Sequence, residues 1–299
     1  MESLQHWGID FILALQAKGD PFLDGFFYFV TQLGGFAYLF IIPLLIWCIE
    51  PKLGLRALLA MMISQYICML IKDIVQEPRP FVVDPRIISD GEHGFSFPSG
   101  HAMGSMVFYG LLALWTEKRW LRWVLGALIF FIGLSRSYLG VHYPHDVIAG
   151  WLLGIIYLWG WLGSQRVVEQ RYYRLPLSLQ VLSALLIPGL IGSIHNALFN
   201  YPFALVISGT VSVTLLCMIA ERRRPVLSAE GSLIQKVFRY MIGVVMLFVA
   251  LKLLGVIYPQ QPGLLQNCAI WLNGALLAAV IGYIAPRLFV PLKLMPPVK

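Results

Sequence analysis

The chain is 299 residues long, 59% apolar and 12% charged, with a formal net charge of +7 and a mean hydropathy of +0.76. So little polar surface excludes a soluble domain of this length and implies an integral membrane protein. The positive excess is accounted for by topology and anionic headgroups, so membrane lipids are the expected surroundings and no nucleic-acid partner is implied. Cys48, Cys68, Cys217 and Cys268 lie in or beside apolar runs with no zinc or redox spacing, and read as packing residues.

In chain order, the first apolar stretch, 8–16, is short, contains Asp10 and lacks a basic leader, which suits an interfacial helix better than a cleavable signal. Nine crossings are then predicted at 25–48, 54–73, 100–116, 122–139, 146–164, 177–197, 203–220, 237–257 and 266–286. Each is close to the roughly 20 residues that a helix needs to span about 30 Å of hydrocarbon. The first carries a Gly34-Gly35 break, and the fourth must end near Arg136. The fold class is therefore all-α, a polytopic transmembrane helical bundle. One set of loops holds Lys52, Arg56, Lys118, Arg119, Arg122, Arg166, Arg171, Arg174, Arg222–Arg224, Lys236, Arg239, Arg287, Lys293 and Lys299. By the positive-inside rule these face the cytoplasm.

Three short signatures fall at helix ends on the opposite side. Lys72, Arg79 and Pro80 close the second helix, where Pro78 and Pro80 end it and lift Arg79 out of the membrane. Pro98-Ser99-Gly100-His101 precedes the third helix, and Ser135-Arg136 is followed by His142 and Asp146 around Pro144. Lys72, Arg79 and Arg136 together suit a dianionic phosphoryl group, because guanidinium forks match phosphate oxygens. Ser99 and Gly100 open a helix whose free N–H groups favour an anion. Two histidines allow one imidazole to attack phosphorus and the other to protonate the departing alkoxide, and Asp146 can hold an imidazole N–H. No Asp/Glu cluster suited to Mg²⁺ accompanies them, so no metal or cofactor is expected and the cations take its electrostatic role.

Each signature alone has a plainer reading: snorkelling cations, a capped helix start, a local hydrogen-bonded turn. Together, in order and on one membrane face, they favour a phosphate site. His145 reads as a solvated turn residue, and Asp90, Glu92 and His93 as a solvated loop, with a lid or headgroup contact as the alternative. His195 and Asn196 either line an entrance or pair with neighbours. Arg222–Arg224 read as a topology signal.

Lys72-x6-Arg79-Pro80, Pro98-Ser99-Gly100-His101 and Ser135-Arg136-x5-His142-x3-Asp146 resemble the three-part signature of the type 2 phosphatidic acid phosphatase (PAP2) superfamily. The resemblance implies His142 as nucleophile, Asp146 as its orienting partner and His101 as general acid. It also implies Lys72, Arg79, Ser99, Gly100 and Arg136 as phosphate ligands. It divides the chain into a PAP2-like six-helix core with an N-terminal interfacial segment, 1–165, and additional transmembrane helices, 166–299. The nine-helix layout resembles that of glucose-6-phosphatase. The implied activity is metal-independent hydrolysis of a phosphoric monoester or diphosphate through a phosphohistidine, on a phosphorylated lipid such as a lipid phosphate or polyprenyl pyrophosphate. A sugar-phosphate hydrolase, a lipid phosphotransferase and a non-catalytic lipid-phosphate binder or transporter are the alternatives. The expected location is a bacterial inner membrane with the site facing the periplasm or exterior, and inhibition by vanadate is expected.

Overall fold

A computed structural model describes residues 2–89, 91–256 and 263–297, and all regular elements among them are helical. Asp90 and residue 257, at the expected end of the eighth crossing, lie outside the described residues. The N-terminal helix α1 spans Glu2–Gln16 and α2 spans Pro21–Leu33, capped by the Asp20 side chain on the Phe22 and Leu23 N–H groups. α3, Tyr38–Leu44, runs into a π turn at Leu45–Ile49, and α4 covers Pro51–Val75. Short α5, Pro80–Val83, is followed by α6, Gly100–Trp115, α7, Arg119–Tyr138, and α8, Pro144–Tyr172. The remaining helices are α9, Leu177–Phe199, α10, Phe203–Arg223, α11, Leu233–Val256, and α12, Leu264–Ala279, which continues through a π turn into α13, Ala285–Phe289.

Seven described helical spans are long and apolar enough to cross a membrane, or eight if α2 and α3 with its π turn count as one span broken at Gly34-Gly35. The protein is an integral membrane protein. The difference from nine expected crossings is α6, which begins and ends as expected but has only 16 residues, about 24 Å at 1.5 Å per residue.

The chain forms two compact units, Met1–Tyr38 with Ser64–Ser164 and Leu39–Ile63 with Gln165–Lys299. The division leaves residues 39–63 with the C-terminal helices, and α4 contributes to both. In the second unit α10 and α12 approach backbone to backbone: a Cβ on Gly274 would lie 2.0 Å from the Val206 carbonyl and one on Gly209 2.1 Å from that of Trp271. Small residues allow this approach where lipid offers no hydrophobic drive for helix association.

The first unit carries the signatures. α7 packs on α2 through a Phe27–Tyr138 stack at 4.3 Å and a Tyr138 hydroxyl that donates to Asp24 at 2.6 Å. α1 buries Ile9 and Ile12 against Ile87 and Tyr143, an amphipathic face laid over the loops that follow α5 and α7. α8 lies close on α6 because Gly150 and Gly154 face it: a Cβ on Gly150 would meet the Ser99 carbonyl at 2.7 Å and Ala102 Cβ at 2.9 Å. That contact fixes the start of α6 beside the start of α8, where Ser99 N–H donates to the Asp146 carbonyl at 3.0 Å.

Gly150→Val should therefore lower stability by about 2 kcal/mol, the usual penalty for overpacking, and weaken phosphate binding by parting Ser99 from Asp146. Thermal unfolding in detergent and phosphate titration check both.

Candidate active site

Four helix ends meet in the first unit: the C-termini of α4 and α7 and the N-termini of α6 and α8. α4 stops at Val75, where Gln76 turns into the left-handed region (φ 54°), three residues before Pro78. The chain then presents Arg79 with the guanidinium buried. Arg79 donates to the carbonyls of Gly94 (3.0 Å), Val141 (2.9 Å) and His93 (3.0 Å). Lys72 Nζ donates to the carbonyls of Phe95 and Ser96, both at 2.7 Å. Arg136, in the last turn of α7, donates through Nη1 to Thr31 Oγ1 at 2.7 Å. The two arginines are joined by Glu92, whose carboxylate pairs with Arg79 at 2.9 Å and with Arg136 through its other oxygen.

Glu92 is aimed inward by the loop around it, since Gly91 and Gly94 both have positive φ (78° and 77°), conformations that glycine adopts without penalty. Burial pushes the Glu92 carboxyl up, but Arg136 and Arg79 outweigh it and hold it below the usual carboxylate range. The ion pairs are therefore intact at neutral pH and fail only as the pH falls through that depressed value. A carboxylate bridging two arginines shows that the pair is placed to hold an oxyanion.

His142 borders this pocket from the loop between α7 and α8. Its Nε2 faces Arg79 at 3.4 Å, and its Nδ1 faces Asp146 Oδ2 at 3.3 Å. Asp146 Oδ2 also accepts from the Ser96 hydroxyl at 2.5 Å and the Tyr143 N–H at 2.9 Å. Burial, and then the cations Lys72, Arg79 and Arg136, hold the His142 imidazole well below the ordinary histidine value. It is neutral at physiological pH, with Nδ1–H directed to the carboxylate and the Nε2 lone pair directed to the arginines.

His101, in the first turn of α6, lies in the field of Arg136, Glu92, Lys72 and Arg79. The Gly34-Gly35 break gives its ring room: a Cβ on Gly35 would stand 2.9 Å from His101 Nε2. Ser99 is fully buried and caps α6, its hydroxyl accepting from Ala102 N–H at 3.4 Å. Gly100 opens the helix, and Gln65 Nε2 donates to its carbonyl at 3.1 Å.

All eight candidate residues lie in this one unit, around these four helix ends. Sequence reasoning missed Glu92, Ser96 and Thr31 as members of the site. The only signal for Glu92 was an acidic residue between glycines, which a solvated loop shares. His145, read as a solvated turn residue, is instead largely buried and pairs with Glu77 at 3.2 Å. His195 is buried beside Phe199 (4.9 Å), and Asn196 Nδ2 lies 3.5 Å from Asn267 Oδ1.

Fold and site thus define a polytopic membrane protein with a cationic anion pocket beside a histidine–aspartate pair. Residues 53–168 match the family model described as PAP2 superfamily, and residues 205–297 match that described as PAP2 superfamily phosphatase, transmembrane extension. The chain belongs to the PAP2 superfamily. It is 36% identical over 115 residues to undecaprenyl-diphosphatase of Sulfolobus acidocaldarius, covering 37% of this chain and 54% of that one. It is 34% identical over 142 residues to sphingosine-1-phosphate phosphatase 1 of Rattus norvegicus, covering 44% and 33% respectively. With glucose-6-phosphatase 3 of Rattus norvegicus it shares 37% identity over 95 residues, 28% and 27% of the two chains. The chain spans between about a quarter and about half of the length of these curated relatives.

Because Glu92 competes for both arginines, Glu92→Gln should tighten inorganic phosphate about tenfold, the equivalent of one charge-assisted hydrogen bond released. Calorimetric titration of phosphate into the purified variant and wild type measures this directly.

Proposed function

We propose that this protein is a membrane phosphatase that hydrolyses a lipid phosphate or polyprenyl pyrophosphate through a phosphohistidine on His142, without a metal. The observation that carries the reading is the orientation of His142, with Nδ1 on Asp146 and Nε2 toward the arginine pair that Glu92 bridges. The phosphoryl group displaces Glu92 and takes Arg79, Arg136 and the N-terminal end of α6 at Gly100, beside the capping residue Ser99. Lys72 spends two of its three N–H donors on carbonyls, which leaves one for a phosphate oxygen. His142 Nε2 attacks phosphorus and forms the P–N bond as the P–O ester bond breaks. His101 gives a proton to the departing alkoxide or phosphate. Water, losing its proton to His101, then cleaves the P–N bond and releases inorganic phosphate. Asp146 stabilises the imidazolium formed in the first step.

A lipid substrate is supported by the surface next to the site. On α8, Ile148 and Leu152, just beyond Asp146, are 49% and 55% exposed, so an acyl or prenyl tail can stay in the bilayer while its phosphate reaches the cations. The names of the undecaprenyl-diphosphatase and sphingosine-1-phosphate phosphatase relatives agree with this class. α4, α7 and α8 each carry the site at one end and basic residues at the other: Lys52 and Arg56, Arg119 and Arg122, Arg166 and Arg171. The positive-inside rule then turns the site to the periplasm or exterior of a bacterial cell membrane. Residues 1–165 supply every side chain of the proposed reaction.

Purified wild type in detergent with EDTA should release phosphate from phosphatidic acid, a polyprenyl pyrophosphate or sphingosine phosphate in preference to glucose 6-phosphate. His142→Ala should fall by at least about 10⁴-fold, as for loss of other nucleophiles, and vanadate should inhibit. Activity lost in EDTA and recovered by Mg²⁺ contradicts the metal-free reading. Preference for glucose 6-phosphate contradicts the lipid one, and consumption of substrate without inorganic phosphate indicates transfer instead of hydrolysis.

A further inference from the structure

His145 and Glu77 take no part in the steps above, yet they are built into the back of the site. His145 stands in the first turn of α8 beside Asp146, and its side chain is only 15% exposed. Its Nε2 lies 3.2 and 3.3 Å from the two Glu77 oxygens and 3.4 Å from Asp146 Oδ1. Its ring stacks on Tyr143 at 5.0 Å and 11°, and on Phe97 at 6.4 Å and 30°. Glu77 is pinned in turn: Gln5 Nε2 donates to its carboxylate at 2.9 Å, and Ser96 N–H donates to its carbonyl at 2.8 Å. A continuous line of contacts runs from Gln5 on α1 through Glu77, His145 and Asp146 to His142.

Asp146 divides its oxygens between two histidines. Oδ2 serves His142, Ser96 and Tyr143, whereas fully buried Oδ1 accepts no hydrogen bond among the described residues and has His145 Nε2 facing it. Two buried carboxylates this close repel, and without a donor between them one takes up a proton. On Asp146 that proton would weaken its hold on His142 Nδ1–H, the contact that keeps the nucleophilic lone pair on Nε2. We infer that Glu77 and His145 are positioning residues for the reaction: His145, fixed by Glu77 and by the Tyr143 and Phe97 rings, keeps Asp146 ionised and directed at His142. The inference rests on the histidine mechanism proposed above. The other titratable groups facing Asp146 are Lys72 and Arg79, Cys68, the Tyr143 hydroxyl and His142 itself, and all are unchanged in the variants below.

The test is kcat and KM across pH for wild type, His145→Ala, His145→Gln and Glu77→Gln, with thermal midpoints in detergent. His145→Ala should lose about 10- to 100-fold in kcat, the range for groups that orient a reacting ligand, with KM nearly unchanged and the acid limb of the pH profile moved to higher pH. His145→Gln retains an N–H donor and should recover much of the loss. Glu77→Gln removes the like charge and should move the acid limb the opposite way, to lower pH. Opposite displacements are not produced by general loosening of the fold. Unchanged profiles in stable variants, or limbs that move together while KM rises, overturn the inference. Should His145→Ala not fold, the Gln variants carry the same sign test. His142→Ala is the control: phosphate release that survives in it defeats the histidine mechanism itself, independently of His145. The ligand atoms of Glu77, His145 and Asp146 all lie within 4.8 Å of one another, a spacing that a divalent cation could also use. Wild-type activity lost in EDTA, restored by Zn²⁺ and unresponsive in His145→Ala, would replace the hydrogen-bonded line with a metal.

Discussion

The structure of the first unit depends on one constraint: two arginines and a lysine must be held close together at a membrane boundary. Unpaired charges there are expensive, and the unit is arranged to supply partners. Carbonyls of His93, Gly94, Phe95 and Ser96 turn inward to Arg79 and Lys72, Val141 serves Arg79 from the other side, and Glu92 joins Arg79 to Arg136. The loop between α5 and α6 is therefore shaped by the cations it satisfies. The same loop delivers Ser96 to Asp146, so the arginine pair and the carboxylate facing His142 are fixed by one segment.

The second unit meets a similar constraint with carbonyls alone. Arg239 is fully buried and donates to the carbonyls of Trp47 (2.5 Å), Ser228 (2.9 Å), Glu230 (2.8 Å) and Leu294 (2.6 Å). No carboxylate pairs with it among the described residues, which makes it a structural tie between chain segments. At Arg79 and Arg136 the corresponding group, Glu92, is a side chain on a loop. In the proposed reaction that difference separates a cation kept for the fold from cations kept for a ligand.

Much of this was legible in the sequence, for specific reasons. Apolar runs of membrane length are set by hydrocarbon thickness, so crossings such as Leu177–Phe199 and Phe203–Arg223 lie within a few residues of expectation. The signature residues were readable because Pro, Gly and charged residues at helix ends have few structural uses in a bilayer. The Gly34-Gly35 break was visible, but its consequence, space for His101, needed coordinates. Glu92, Glu77 and His145 were misread or passed over because nothing local separates a solvated acid or imidazole from a buried one. Their burial is decided by the fold of the 84–99 segment and by α1 docking Gln5 onto Glu77. The bounds of α6 were readable, Gly100–Trp115 against the expected 100–116.

In the proposed reaction His142 carries the phosphoryl group during turnover. Rapid-quench trapping with a ³²P-labelled lipid phosphate, followed by peptide mapping, is the decisive experiment. An acid-labile, alkali-stable phosphoryl group is expected on the peptide containing His142, formed and lost as fast as phosphate is released and absent from His142→Ala. Turnover with no protein-bound label at any quench time, or label on another residue, would contradict it.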